Sequence, residues 1–591
     1  MKTENYLLIT LGHNSSAIFI DNTDEKQEVI GYEQERLSRI KSDSQFPFDA
    51  INEIKKHVPF SKLEGCQIRI SHWFDDFLPS SNKYIGENGL RTLKEISTKI
   101  VDTNGNSFTH HDAHAYSAYN FMLESNTDLK HFNKPIYCIV ADGFGNQQEV
   151  FSIYAFTPNI DVKPKRIFKS YGYYQSLGLM YQFATSFVGM KENQDEYKFL
   201  GYESHIAEVL SEQQIATLTS FAKFDSDRMT KKIKEHTEKE QTLNIDKSIG
   251  ISVSDLNNAR DLFNHLFSRV FEYLNIDKDN NIYVSRIIMG YYVQYIIESV
   301  ITNFIDEYEM NNICVAGGCF YNVKLNNTIL ETIDGYFSAM PLAGDQGAAI
   351  GMYAKEVGLR LNFNASIKFD TLNFGKRNFY NAGKLVSKID NAYYFTNSKY
   401  AAMAVSDFIS NDCIVNIVHN NMEFGPRALG HTSTLFLPTE ENIAFVNYIN
   451  NRNEVMPCAP VCTIESAHNN LFDSYELSRT IGSDRFMICT HKYMRKYNTL
   501  YGGVMHKKPL IKEYTGRPQI VTENEKFLYT ILKSVEKDTG YTCLVNTSFN
   551  VHGQPIVFDM HSIIQNFMYQ QVQEVKTRKF NKKIVLVIIN D

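Results

Sequence analysis

His110 and His114 stand four residues apart in the run His110-His111-Asp112-Ala113-His114. On a helix that spacing puts both imidazoles on one face, where they could hold a single metal ion. Asp345, in the turn Ala343-Gly344-Asp345-Gln346-Gly347, offers a carboxylate suited to the same cation. Taken alone, the spacing is equally that of a helix start whose histidines are solvated or satisfied in the core.

Two turns rich in small polar residues are candidates for holding phosphate. His13-Asn14-Ser15-Ser16 and Asp142-Gly143-Phe144-Gly145 could each present several backbone N–H groups to an anion. Asp142 could also face a magnesium ion carried by a nucleotide. Gly317-Gly318 lies between a strand and a helix, where a base or ribose could pack on bare backbone. Each of these is also an ordinary tight turn on sequence alone. Arg36, Arg39 and Lys41 form a dense mixed-charge patch that reads equally as a solvated helix face. Further along, Glu423 to Gly430 is a rigid turn presenting Arg427. Arg517 and the polar loop Asn546 to Asn550, with Ser548 at its centre, complete a possible anion pocket. Arginine grips phosphate or carboxylate through two parallel hydrogen bonds, and serine adds a donor; surface salt bridges are the plainer alternative.

These residues need elements to position them, and the pattern supplies an α/β fold. Asn5 to Gly12 and Ala17 to Ile20 read as a hairpin, and Tyr137 to Phe156 repeats that shape around the turn at Asp142 to Asn146. Two such hairpins suggest an internally duplicated unit. The pattern turns helical between Tyr171 and Met190, and a polar, mostly helical insertion is expected from about His205 to Tyr283. Val293, Ile296, Ile297, Val300, Ile301 and Phe304 form one face of a helix over Met289 to Phe304. Periodicity fades between about 361 and 400, which divides the chain into units 1–370 and 390–591, the second opening on an amphipathic helix around Ala401 to Ile409.

Composition narrows the partners. The 591 residues exceed one ordinary core, and 43% hydrophobic with 21% charged residues is globular. A net charge of -7 argues against general attraction to nucleic acid, leaving the local basic segments Lys163 to Lys169 and Lys576 to Lys583 as backbone contacts or solvated faces. No apolar run reaches bilayer length, Ile584 to Ile589 being among the longest clean ones, and the first ten residues lack a signal peptide's pattern. A soluble, cytoplasmic chain with no membrane partner is expected, and a homo-oligomer is compatible with it. The nine cysteines, thinly spread, read as core residues.

Taken in order, the segments LGHNSS, EQERLSRIK, HHDAHAYSAYNF, VADGFG, SLGLMYQF, DEYKFLG, CVAGGCFYN, AGDQGAAIG, MEFGPRALG, GRPQIV and LVNTSFNVHGQPIV resemble the O-carbamoyltransferase family of the NodU/CmcH type from Leu11 to about Val557. The resemblance implies an amino-terminal duplicated domain of the actin/sugar-kinase (ASKHA) type, similar to the threonylcarbamoyl-transferring subunit of tRNA modification. It implies a carboxyl-terminal α/β domain similar to threonylcarbamoyl-AMP synthase (YrdC-like). The second domain would join carbamoyl phosphate to ATP, giving carbamoyl-AMP and pyrophosphate, and the first would pass the carbamoyl group to an acceptor hydroxyl with release of AMP. By motif position, His110, His114 and Asp345 resemble ligands of an iron-type (Fe2+) divalent metal. His13 resembles the residue nearest the transferring group, a candidate general base. Asp142, Gly317 and Gly318 would line the nucleotide site; Arg427, Arg517 and Ser548 would bind carbamoyl phosphate and Mg2+-bound ATP. Lys198 lies in the family's Glu-Tyr-Lys motif without an assigned role.

The chain departs from the family at Thr432, Asn450 and Met456, three cationic positions that are neutral here, with Arg452 close by. The expected acceptor is a small hydroxyl metabolite or a hydroxymethyl pyrimidine, free or in DNA. Two other readings share the first domain: a sugar-kinase-like phosphotransferase, which would release ADP, and a nucleotide-gated binding protein, which would form no pyrophosphate.

Overall fold

Apolar runs buried on both faces make the strands that carry the site. In this computed structural model the described residues are 4–23, 27–75, 80–104, 108–161, 163–238, 245–246, 248–357, 371–379, 382–452, 455–494, 504–511, 513–577 and 580–591. The first sheet contains β1 (Tyr6–Thr10), β2 (Ser16–Asp21), β3 (Glu28–Glu33), β4 (Gln67–Ser71) and β5 (Ile100–Asp102) in the order β3-β2-β1-β4-β5. The second contains β6 (Ile136–Ala141), β7 (Glu149–Phe156), β8 (Lys165–Tyr171), β9 (Ile313–Ala316) and β10 (Phe337–Ala339) in the order β10-β9-β6-β7-β8. In each sheet an antiparallel three-strand meander is extended by two parallel strands on the side of its first strand. The expected duplication is therefore present in topology.

Between the sheets lie the two helices that carry the histidines and Asp345. Helix His110–Ser125 is buried over nearly its whole length, and its Ala115, Ala118 and Met122 share one core with Leu8, Ile18, Val140, Ala316 and Ile350. Helix Asp345–Val357 meets it at backbone contact, because Gly351 has no side chain: a Cβ there would lie 1.7 Å from the Ala113 carbonyl oxygen. The insertion is helical, as expected, with helices Glu212–Glu235 and Val253–Leu274. The long apolar helix runs Ile282–Glu307, starting earlier than its apolar face suggested, because the Asn281 side chain caps the N–H groups of Tyr283 and Val284.

The carboxyl-terminal half holds a seven-stranded mixed sheet, in the order 392–395, 584–589, 414–419, 432–436, 544–548, 459–463, 519–521. The apolar run Ile584–Ile589 is an inner strand, parallel to both neighbours and buried throughout, which explains its composition. Part of the expected boundary, residues 358–370 and 380–381, lies outside the described residues. A segment around 480–490 closes the edge of the second sheet: Ile481 N–H donates to the Phe337 carbonyl at 2.8 Å, and Ala339 N–H to Ser483 Oγ at 2.7 Å. Arg36 does not lie on a solvated face. It is 2% exposed, bonded to Glu33 at 3.1 Å and to the Gly425 carbonyl at 2.5 Å, where the two halves of the chain meet. Among the described residues no helix is long and apolar enough to cross a membrane.

Candidate metal centre and anion pocket

The first turn of helix His110–Ser125 is fixed from several sides. Thr109 and Asp112 form a reciprocal capping box, and Asp112 also accepts from Arg166 at 2.5 Å and from the Tyr154 hydroxyl at 2.9 Å. The His110 N–H donates to Asn146 Oδ1 at 2.7 Å, and its ring Nδ1 sits 3.3 Å from Ser71 Oγ. With Nδ1 engaged, Nε2 is left to face the space between the sheets. His114 follows one turn later, Asp345 opens its own helix, and Asp142 directly follows β6.

These four side chains converge. His110 Nε2 lies 3.1 Å from His114 Nε2, 3.2 Å from Asp345 Oδ1 and 3.4 Å from Asp142 Oδ2. His114 Nε2 lies 3.3 Å from Asp142 Oδ2 and 3.8 Å from Asp345 Oδ1. Ligands about 2.1 Å from one ion are separated by edges of roughly 3.0 to 3.4 Å, so four of these five separations have the spacing of a single coordination sphere, and the fifth, at 3.8 Å, is wider. Two imidazoles and two carboxylates also balance the charge of a divalent ion, and this borderline-to-hard donor set suits iron, manganese or zinc. Burial pulls the His110 imidazolium down, but the Asp345 and Asp142 carboxylates outweigh it and lift the group to about 10. Burial pushes both carboxyls up, yet the His110 and His114 rings hold Asp142 and Asp345 well below the usual carboxylate range.

Asp142 thus belongs with His110, His114 and Asp345, and the sequence reading placed it only at the nucleotide. Gly317 and Gly318 serve its placement. Gly317 adopts φ 102° with a would-be Cβ 2.2 Å from the Ala141 carbonyl oxygen, and the Gly318 N–H donates to Asp142 Oδ1 at 3.1 Å. His13 stands at the rim: its side chain is 48% exposed and its Nε2 is 3.8 Å from Asp345 Oδ2.

The residues expected in the second half fall into separate surroundings. Ser548 is joined by Arg452, which donates to its hydroxyl at 3.1 Å, to Asn550 Oδ1 at 3.2 Å and to Thr547 Oγ1. Arg517 is buried in the electrostatic neighbourhood of His506. Arg427 acts electrostatically on Tyr321 of the first domain: burial and the Glu33 and Asp345 charges push that phenol up, and the Arg427 charge opposes them. The turn presenting Arg427 is organised by Glu423, whose carboxylate accepts the Leu429, His431 and Thr432 N–H groups at 2.7 to 2.9 Å.

Two of the three neutral positions have structural partners of their own. Thr432 accepts from the buried Arg377 at 3.0 Å, and Asn450 accepts from Gln570 at 2.7 Å within a buried amide chain to Asn416. Arg377 is a cation of this region that the motifs do not mark, and Arg452, close to Asn450 in the sequence, is bonded to Ser548. Arg452 had a signal, its place two residues after Asn450; Arg377, in the segment between the domains, had none.

The Carbamoyltransferase N-terminus family model matches residues 82–354, and the Carbamoyltransferase C-terminus model matches residues 406–581. Together they span most of the chain. It belongs to the carbamoyltransferase family. An uncharacterized protein of Methanocaldococcus jannaschii is 24% identical over 571 residues, covering 94% of this carbamoyltransferase and 95% of the relative. Nodulation protein U of Rhizobium tropici is 25% identical over 248 residues, 41% of this chain and 39% of its own. Among solved structures, full-length HypF in a phosphate- and nucleotide-bound form matches with TM-score 0.30 and 13% identity, over 62% of this chain and 57% of that one. A likeness of that size adds nothing to the topology already described.

Proposed function

We propose that this carbamoyltransferase is an ATP-dependent O-carbamoyltransferase whose two domains, about 1–370 and 390–591, divide the reaction. The observation that supports this best is one chain bearing both the His110–His114–Asp142–Asp345 cluster and, in its other half, the Arg452–Ser548–Asn550 group. In the second domain a carbamate oxygen attacks the α-phosphorus of ATP and pyrophosphate leaves. Formation of that carbamate from carbamoyl phosphate consumes one water and releases inorganic phosphate. Arg452 and Ser548 supply a cation and a hydroxyl for these anions, and Arg517, in separate surroundings, would add a second cation only where the anion extends to it. In the first domain the acceptor oxygen attacks the carbamoyl carbon, the bond to AMP breaks, and AMP leaves with the electron pair.

His110, His114, Asp142 and Asp345 would hold one divalent ion of the iron type. When bound, such an ion supplies Lewis-acid stabilisation of charge on the nucleotide and the transferring group. His13, half-exposed beside that cluster, takes the proton of the attacking hydroxyl. Arg427, presented by the Glu423-bound turn, would meet an anion passing between the domains. An enclosed passage between the two halves would keep water from the labile adenylate.

A small hydroxyl compound is the better-supported acceptor. In the basic segments Lys165 pairs with Asp161 at 2.7 Å, Arg166 with Asp112 and Glu149, and Lys582 with Asp412 and Glu441. That leaves less charge for a nucleic-acid backbone; Arg578 and Lys579 lie outside the described residues. The test incubates the protein with ATP, carbamoyl phosphate and a panel of hydroxyl compounds that includes hydroxymethylcytosine DNA. His13→Asn and His114→Ala are expected to keep pyrophosphate release and to lose carbamoyl transfer. Full transfer by both variants would remove these assignments.

A further inference from the structure

Glu196 to Gly201 has no part in the chemistry assigned so far, yet it touches the second domain. At one end, burial pushes the Glu196 carboxyl up, and the Asn193 N–H donates to it at 2.6 Å. Two residues on, the Lys198 ammonium donates to Asp195 Oδ1 at 2.6 Å and to His552 Nε2 at 2.9 Å. An ammonium can only donate, so Nε2 is the acceptor and the neutral ring carries its proton on Nδ1. At the other end Gly201 packs on the second domain: a Cβ there would lie 2.9 Å from the Met456 backbone nitrogen.

His552 lies in the loop that follows Ser548 and Asn550. A second residue of the first domain holds the same loop, since Arg39 donates to the Ile556 carbonyl at 2.6 Å and to the Pro555 carbonyl at 2.8 Å. The loop's ties to its own domain include His552 N–H to the Asn450 carbonyl at 2.9 Å and Val551 N–H to Asn566 Oδ1 at 2.8 Å. A binding group must be held to within about 0.5 Å by its supports, and loops are the least constrained place to build one.

We propose that Lys198 and Arg39 are positioning residues for adenylate formation: by holding the Ser548–Ile556 loop across the domain boundary, the first domain completes the anion pocket of the second. The inference rests on the reading of that pocket given above. It assigns the Glu-Tyr-Lys segment a role in the half-reaction carried out by the other domain.

The test uses the full chain and measures pyrophosphate release against carbamoyl phosphate concentration, with hydrogen exchange over 549–557 as a second readout. Lys198→Ala should raise KM for carbamoyl phosphate about tenfold or more and leave kcat within about threefold, because it loosens binding before the chemical step. Lys198→Arg, which can still donate to His552, should restore KM. His552→Ala should match Lys198→Ala, and the double variant should be no worse than either. Exchange at the loop amides should quicken in Lys198→Ala and return in Lys198→Arg. Arg39→Ala should act in the same direction, and carries the test if Lys198→Ala does not fold. Wild-type KM and exchange in Lys198→Ala, or additive losses in the double variant, would overturn the inference alone. A wild-type chain that releases no pyrophosphate would overturn the reading of the pocket, and the inference with it.

Discussion

Asp142 is the residue on which the metal assignment turns. Its carboxylate lies 3.4 Å from His110 Nε2 and 3.3 Å from His114 Nε2, close enough to complete the sphere that three ligands would leave open. Wild-type protein should bind one divalent ion per chain by elemental analysis and calorimetry. Asp142→Asn should weaken that affinity by about 10- to 100-fold or more, and His114→Ala at least as much. Equal affinity in Asp142→Asn would return Asp142 to the nucleotide alone. At this scale the sequence was legible where ligands are neighbours in the chain. The His110–His114 spacing states its geometry directly, as any helix would. Asp142 directly follows a strand and Asp345 opens a distant helix, so only tertiary folding brings them to the same point; Asp345 was legible as a carboxylate suited to the cation, with no spacing to place it. Arg452 sits where the sequence offered only proximity.

Elements hold these ligands through close backbone contact. Gly351→Ala would place a methyl group against the Ala113 carbonyl and force helix Asp345–Val357 away from helix His110–Ser125. The expected cost is about 1–3 kcal/mol or more, seen as a lower thermal midpoint, together with loss of metal affinity, because Asp345 lies on one helix and both histidines on the other. A second prediction concerns Glu298, on helix Ile282–Glu307. Burial, with the Glu203 charge adding, pushes its carboxyl up to about 7 from 4.5. Between those values the folded chain keeps a proton that the unfolded chain has lost, so stability falls as pH rises through this window. The loss is roughly 3 kcal/mol once both states are ionised. Glu298→Gln should therefore flatten the thermal midpoint between pH 5 and pH 8; an unchanged pH dependence would refute the shift. The duplicated hairpins were legible because their turns are polar and their strands apolar. The true start of the long helix was not, since the Asn281 cap leaves no apolar periodicity to read.

At the scale of the whole molecule, the two halves are joined by buried charge. Arg36 bonds Glu33 and the Gly425 carbonyl beneath the turn that presents Arg427, and burial pushes the Glu33 carboxyl up in spite of its partner. Arg36→Ala should destabilise the chain by about 3–5 kcal/mol by leaving Glu33 without its cation, and Arg36→Ala with Glu33→Gln should recover part of that in chemical denaturation. The sequence displayed Arg36 as one charge in a mixed patch, and nothing in its neighbours reveals a domain boundary more than 380 residues away in the chain. Carbamoyl activation in one half and carbamoyl transfer in the other make a definite demand on the nucleotide. The most direct measurement is therefore the product balance when the protein is given ATP, carbamoyl phosphate and a hydroxyl acceptor. The account predicts AMP, pyrophosphate and inorganic phosphate in equal amounts with each carbamoylated acceptor, and no pyrophosphate without carbamoyl phosphate. Accumulation of ADP with a phosphorylated acceptor would contradict it.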